Sequence, residues 1–180
     1  MSIGKAFGIS LVTFLGLNMG FFVLYYLLDG TLVTRFTQIA SDPYIIFEFV
    51  GFAMFNCLSV SMGPSFPFTS IVTLSFSGIS DVMTFLTNLV LFIGLIVPPL
   101  IASVIAGIFV SDRKEGALSW FLTSMIMAII AFMGFLLIFI AGSITLMTLI
   151  RLLVVALVLG VMFTAFYGFV TLITRRSFPY

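Results

Sequence analysis

Four long apolar stretches constrain the fold of this chain more than any other feature of its sequence. They cover residues 6–28, 82–110, 117–141 and 146–174. A helix of about 20 apolar residues crosses the hydrocarbon core of a bilayer, and a backbone in lipid satisfies its own hydrogen bonds only as a helix or a closed barrel. The sequence therefore predicts an all-α fold, a polytopic transmembrane helical bundle that forms a single integral membrane domain over residues 1–180.

The composition agrees with a chain that is surrounded mostly by lipid. Hydrophobic residues make up 62% of the sequence and charged residues 7%, against about 25% charged residues in a typical soluble domain. The lipid bilayer is therefore a predicted partner. The net charge is +1 and no long basic tract is present, so the sequence argues against nucleic-acid binding, which needs clustered Lys and Arg.

A fifth stretch, residues 44–62, is apolar but contains Glu48 and Asn56. It is followed by residues 63–81, which are rich in Ser, Thr, Gly and Pro. The fifth stretch either crosses the bilayer or lies in a re-entrant or interfacial position, and a re-entrant backbone must be shielded by protein or water. We expect the four-span arrangement, in which this region covers one end of the bundle.

The distribution of Lys and Arg predicts the orientation of the chain. In both arrangements the turn 111–116 and the C-terminus share the side that holds most of the basic loop residues. Loops rich in Lys and Arg face the cytoplasm, so this turn and the C-terminus are predicted to be cytoplasmic. The N-terminus lies on the same side with four spans and on the other side with five, so its side stays open.

Pro98 and Pro99 lie just past the middle of the span 82–110. A proline inside a helix removes a backbone hydrogen bond and clashes with the preceding turn, so a kink is predicted at this point. A static kink would fit a long helix into the bilayer. A hinge, or a broken helix that lines a cavity, would instead indicate a transporter.

Two charged residues, Glu48 and Arg151, lie inside apolar stretches. Charges at membrane depth are costly and commonly functional, which makes both residues functional candidates. Glu48 could instead lie near the interface or near a helix N-terminus, and Arg151 could extend its guanidinium to the headgroups. If residues 44–62 do not cross, the two side chains lie on the same outer side and could form an ion pair.

Glycines recur at helical spacing in two of the spans. Gly16 and Gly20 lie about one turn apart in the first span, and Gly160 and Gly168 lie about two turns apart in the last, with Thr164 between them. Such rows of small residues let helix backbones approach closely in lipid. They predict helix-packing interfaces, either within the bundle or, for the first span, with another chain.

The sequence carries little that supports catalysis. It contains no His and one Cys, so it lacks a Ser-His or Cys-His pair and the imidazole ligands that are common in metal sites. We therefore expect neither an enzyme nor a bound cofactor or metal. The short turns between the later spans also leave little surface outside the membrane for independent chemistry.

Two functions remain open. The expected one is a small non-catalytic subunit, assembly factor or scaffold that binds other membrane-protein chains in a hetero- or homo-oligomer. The alternative is a component of a transporter or channel that moves an ion or a small solute as an oligomer. The alternative would use Glu48, the Pro98–Pro99 kink and residues 63–81 to line a path.

Overall fold

The computed structural model describes residues 3–60, 82–110 and 112–177, and the regular structure in this part of the chain is entirely α-helical. The helices are α1 (Ile3–Leu28), α2 (Leu32–Gln38), α3 (Tyr44–Val50), α4 (Phe52–Val60), α5 (Val82–Ile108), α6 (Arg113–Ile140) and α7 (Leu146–Ser177). Four of these described helices, α1, α5, α6 and α7, are long and apolar enough to cross a membrane. This confirms the predicted all-helical class and its four apolar helices. The predicted loop 63–81 lies outside the described residues.

Hydrogen bonds between helices establish how the bundle is arranged. Ser119 Oγ at the start of α6 donates to the Ile3 carbonyl at the start of α1, over 3.3 Å. Ser10 Oγ in α1 donates to the Ala102 carbonyl near the end of α5, over 2.9 Å, and Thr171 Oγ1 near the end of α7 donates to another α5 carbonyl, over 3.0 Å. The start of α1, the α5–α6 turn and the end of α7 therefore lie together, at what we call the terminal end. The other end of the bundle, which holds the end of α1, we call the opposite end.

The described part of the fifth stretch, residues 44–60, forms two short helices instead of one span. They meet at Gly51, whose amide donates to the Phe47 carbonyl over 2.9 Å and so completes the last turn of α3. The backbone leaves the helical region at this residue, with φ −116° and ψ 24°. Glycine weakens a helix interior, so a break between the two helices is less costly at Gly51 than at its neighbours.

The α3–α4 pair runs from the opposite end into the bundle. Glu48 in α3 contacts Tyr26, two residues before the end of α1. Ala53 in α4 contacts Asn18, which lies about 12 Å further along α1 at 1.5 Å per residue. The described pair therefore consists of two short helices packed inside the bundle, and whether residues 44–62 cross the bilayer or re-enter it stays a prediction.

Two glycines make room for α4 between its neighbours. A Cβ added to Gly94 in α5 would lie 2.9 Å from Phe52 Cε1, and one added to Gly134 in α6 would lie 2.7 Å from Phe55 Cε2. Both phenylalanines are buried. The missing side chains therefore let the rings of α4 lie directly against the backbones of two spanning helices.

The interface between α6 and α7 is formed by small residues and hydroxyls. A Cβ at Gly160 would lie 3.0 Å from Met125 Cε, and one at Gly168 would lie 3.9 Å from Trp120 Cδ1. Between these glycines, Thr164 Oγ1 lies 2.6 Å from Ser124 Oγ. The row in α7 therefore faces α6 inside the bundle, the first of the two orientations that the sequence left open.

Helix α5 runs without a break through its two prolines. Pro98 and Pro99 are both buried, and the helix extends from Val82 to Ile108 across them. Ser103 Oγ donates to the Leu100 carbonyl over 2.7 Å, not to the carbonyls that the proline rings leave without a backbone donor. The continuous helix differs from the broken-helix form of the transporter hypothesis, whereas a kink stays a prediction.

Candidate functional site

One face of α1 carries the residues that hold the α3–α4 pair. Every fourth residue along this helix is buried, so each one lies above the one before it and together they form a continuous stripe along the helix. They are Ala6, Ser10, Phe14, Asn18, Phe22 and Tyr26. Three of these six side chains, those of Ser10, Asn18 and Tyr26, are polar, so the helix can bind its neighbours through hydrogen bonds as well as through packing.

Asn18 is the central contact between α1 and α4. Its side chain is fully buried. Its Oδ1 accepts from the backbone N–H of Ala53 over 2.7 Å, and its Nδ2 donates to the Phe14 carbonyl over 2.8 Å. The first N–H groups of a helix have no partner inside that helix, so Asn18 supplies from another helix the acceptor that the start of α4 lacks.

Glu48 lies in α3, the helix before α4, and its side chain is only 4% exposed. The Tyr26 hydroxyl donates to Glu48 Oε1. The Arg35 guanidinium carbon lies 4.8 Å from the centre of the Tyr26 ring, a cation–π distance, and Tyr44 lies close enough to Arg35 to act on it electrostatically. We call Tyr26, Arg35, Tyr44 and Glu48 the Glu48 cluster, which joins α1, α2 and α3 at the opposite end.

Aromatic rings enclose this cluster. The Phe22 ring lies 4.6 Å from Tyr26 and 5.1 Å from Phe49, and Phe36 lies 5.8 Å from Phe49. The Tyr25 ring packs edge-on against Tyr26 at 4.9 Å. The carboxyl therefore lies in surroundings of low polarity, where an unpaired charge is costly.

The pKa of the Glu48 carboxyl is raised above its ordinary value. Glu48 belongs to the short helix α3, outside the four helices of spanning length. Burial is the main cause, because a low dielectric disfavours the charged form. The Tyr26 hydrogen bond and the positive charge of Arg35 act in the other direction without cancelling the effect of burial. The carboxyl therefore stays neutral to a higher pH than an exposed glutamate.

The side of α1 that points away from the bundle carries four glycines, and none of them packs against the rest of the described chain. A Cβ added at any of four positions would meet no atom within 4 Å, and these positions are Gly4, Gly8, Gly16 and Gly20. Val12 continues the same row with 69% of its surface exposed. We call residues 4, 8, 12, 16, 20 and 24 the outward face. Its orientation is the opposite of the inward row in α7.

The other candidates from the sequence lie apart from the Glu48 cluster. Arg151 is exposed, one turn into α7, and Glu48 pairs with Tyr26 instead of with this arginine. Pro98 and Pro99 are buried in the half of α5 near the terminal end. The structure therefore brings Glu48 together with α1 and α2, and neither Arg151 nor the prolines contribute to its surroundings.

Sequence reasoning missed two members of this region, Asn18 and Tyr26. A signal for Asn18 was present, since it is a polar residue in the middle of an apolar span. It also lies eight residues from Ser10 and eight from Tyr26, a spacing of two four-residue steps, which continues the same stripe along the helix. Tyr26 gave no such signal, because tyrosine near the end of a span also fits the membrane interface.

Comparisons with known protein families, with curated proteins and with solved structures gave no match. The described residues hold no group of three or more His, Cys, Asp or Glu side chains arranged to bind a metal ion. Two features of the chain itself bear on its function, the outward face of α1 and the Glu48 cluster.

Proposed function

We propose that this chain is a non-catalytic integral membrane protein that acts as a subunit, assembly factor or scaffold of a larger membrane complex. Its outward face on α1 binds a transmembrane helix of another chain. The observation that carries the proposal is that a Cβ built on Gly16 or Gly20 meets no atom of the described residues within 4 Å. In the same helix, the side that faces the bundle is fully packed.

The physical reason is the way in which helices associate in lipid. The hydrophobic effect does not drive helices together there, so close backbone packing between small residues contributes much of the affinity. The glycines Gly16 and Gly20 lie about one turn apart and leave a shallow groove. In α7 the corresponding row already holds Met125 and Ala128 of α6 against Gly160. The outward face offers the same kind of surface to a helix from another chain.

The orientation of the bundle is part of the same proposal. The terminal end holds Lys5 together with Arg113 and Lys114, all three exposed, whereas Arg35 lies at the opposite end. Lys and Arg are enriched in cytoplasmic loops. The terminal end therefore faces the cytoplasm, and the α3–α4 pair enters the bundle from the other side of the membrane.

A bulky side chain on the outward face is expected to release the partner. Gly16→Leu or Gly20→Leu fills the groove, so co-purification of partner chains in mild detergent should fall by about tenfold or more, which corresponds to about 1.4 kcal/mol. The thermal stability of the chain itself should not fall, because the added Cβ meets no atom of the described residues within 4 Å and glycine weakens a helix interior. Mass spectrometry of the purified complexes measures the first effect and thermal unfolding in detergent the second.

The matched control is Val161→Leu, which enlarges an exposed side chain of α7 away from the outward face. It should leave the set of co-purified chains intact. Complexes that survive both glycine substitutions would refute the outward face as an interface.

The Glu48 cluster favours a second function, that of a transporter or channel component. A buried carboxyl beside a re-entrant helix pair is the arrangement in which membrane proteins bind and pass ions. Glu48→Gln should then alter ion flux in reconstituted vesicles while expression and assembly stay normal. Arg151→Gln, which changes an exposed charge outside the cluster, is the control. Identical flux in the parent chain and Glu48→Gln would exclude this function.

A further inference from the structure

The Glu48 carboxyl lies where an ionised side chain has few partners. Within the described residues it accepts a hydrogen bond from one neutral hydroxyl, that of Tyr26. An ionised carboxylate has about four acceptor sites, and a buried charge without partners is costly. A neutral carboxylic acid needs fewer hydrogen bonds, so the geometry suits the protonated form of Glu48 better than the ionised form.

The groups around Glu48 come from several elements. From α1 it faces the hydroxyls of Tyr25 and Tyr26, with Asp29 beside Tyr25 in the turn that follows. From α2 it faces Arg35, and Tyr44 of α3 lies close enough to Arg35 to act on it electrostatically. Helix α4 and the second half of α6, which also pack in this region, carry no Asp, Glu, Lys or Arg. Arg35 therefore supplies the positive charge that acts on the carboxyl.

We propose that Glu48 is a proton-binding site whose occupancy holds the α3–α4 pair against α1. With the proton bound, the neutral acid keeps its hydrogen bond to Tyr26, and Ala53 stays on Asn18. When the proton leaves, the carboxylate is more stable in water than among the aromatic rings. The pair then moves away from α1. This inference is independent of the outward face, which lies on the other side of α1.

The sign of the pH dependence follows from proton linkage. Burial raises the pKa of Glu48 in the docked arrangement, so the docked pair binds the proton more tightly than the undocked pair does. Docking is therefore complete below the ordinary pKa of a glutamate. It weakens as the pH rises towards the pKa of the docked state, by at most about tenfold for each pH unit.

A buried thiol reports this movement. Cys57 is replaced by serine, and Ala53→Cys then places a thiol at a fully buried position of α4. The rate of thiol modification is compared at each pH between the chain with Glu48 and the chain with Glu48→Gln. The ratio of the two rates cancels the pH dependence of the thiol reaction. The amide oxygen that replaces the carboxyl can still accept from Tyr26, so the Glu48→Gln chain should stay docked at every pH.

We expect this ratio to be close to one at low pH and to rise on the order of tenfold per pH unit before it levels off. The control is Val33→Cys, which is 76% exposed and should give a ratio near one throughout. A ratio at Ala53→Cys that does not change with pH, including equally fast modification of both chains at every pH, overturns the proposal.

Infrared spectroscopy tests the proton directly. The carbonyl stretch of a protonated carboxyl should be present above the ordinary pKa of a glutamate and absent from the Glu48→Gln chain. Its frequency should shift in Tyr26→Phe, which keeps the ring and removes the hydroxyl donor. A band that disappears at the ordinary pKa of a glutamate would overturn the proposal even if the thiol ratio changed with pH.

Discussion

Replacing Trp120 with alanine is expected to lower the free energy of unfolding by about 3 kcal/mol, the lower limit of the usual cost of removing a buried Trp side chain. The side chain is fully buried and joins three helices at the terminal end. Its ring stacks on Phe14 of α1 with centroids 5.9 Å apart and packs edge-on against Tyr167 of α7 at 6.1 Å. Its Nε1 donates to the Phe163 carbonyl over 3.1 Å. Because lipid weakens the hydrophobic contribution, most of the loss comes from van der Waals contacts around the cavity.

Thermal unfolding in detergent measures this loss. Trp120→Phe keeps a ring in the site but removes the N–H donor, so it should lose about 1 kcal/mol for the hydrogen bond. The next residue provides the control, since Phe121 is exposed at the surface of the same helix and Phe121→Ala should cost less than about 1 kcal/mol. Equal losses at residues 120 and 121 would show that Trp120 does not hold the three helices together.

The four spanning helices were predictable because their signal is local. A run of apolar residues long enough for the bilayer needs no knowledge of what packs beside it. The structure of residues 44–60 was not predictable in this way. Glu48 and Asn56 interrupt the apolar run, and the conformation of such a run depends on the helices that pack beside it. Gly51 marks the break between α3 and α4, but a single glycine also occurs inside continuous helices such as α5, where Gly94 is buried.

The two glycine rows show where local information ends. Gly16 and Gly20 in α1 resemble Gly160 and Gly168 in α7 in spacing, yet one row faces outward and the other packs against α6. The direction in which each row points depends on whether another side of the same helix binds the bundle more strongly than the row does. In α1 the polar face with Asn18 turns inward because its hydrogen-bond partners lie in the bundle. A pattern of small residues carries no information about those partners.

The partner of Glu48 illustrates the same limit. The sequence offered Arg151 as an ion-pair partner, because opposite charges attract over several ångströms. The structure gives Glu48 a tyrosine hydroxyl from α1, with Arg35 nearby as the cation. Both residues precede Glu48 by short distances along the chain. The compact path of α1, α2 and α3 at the opposite end thus brings together groups that no periodic pattern relates.

Asn18→Leu is expected to destabilise the docked α3–α4 pair by about 1–3 kcal/mol, the usual cost of leaving a buried donor without its acceptor. The leucine is close to asparagine in size, so the change removes a hydrogen bond without opening a large cavity. The N–H of Ala53 then has no acceptor at a position far from water, and the Phe14 carbonyl loses its contact with Nδ2. Thermal unfolding in detergent measures the loss of stability, and hydrogen exchange at the start of α4 locates it.

Thr87→Val in α5 is the control, because it also removes a buried polar group but breaks no hydrogen bond between helices. Thr87 is also buried, but its hydroxyl donates to the Met83 carbonyl of its own helix over 2.8 Å. That carbonyl can still accept the backbone N–H one turn later, so Thr87→Val should cost less than about 1 kcal/mol. If Asn18→Leu cost no more than Thr87→Val, the start of α4 would have another acceptor, and Asn18 would not be what holds the α3–α4 pair in the bundle. A large loss confined to α4 and α3 would instead identify Asn18 as the residue that lets a helix begin inside the bundle.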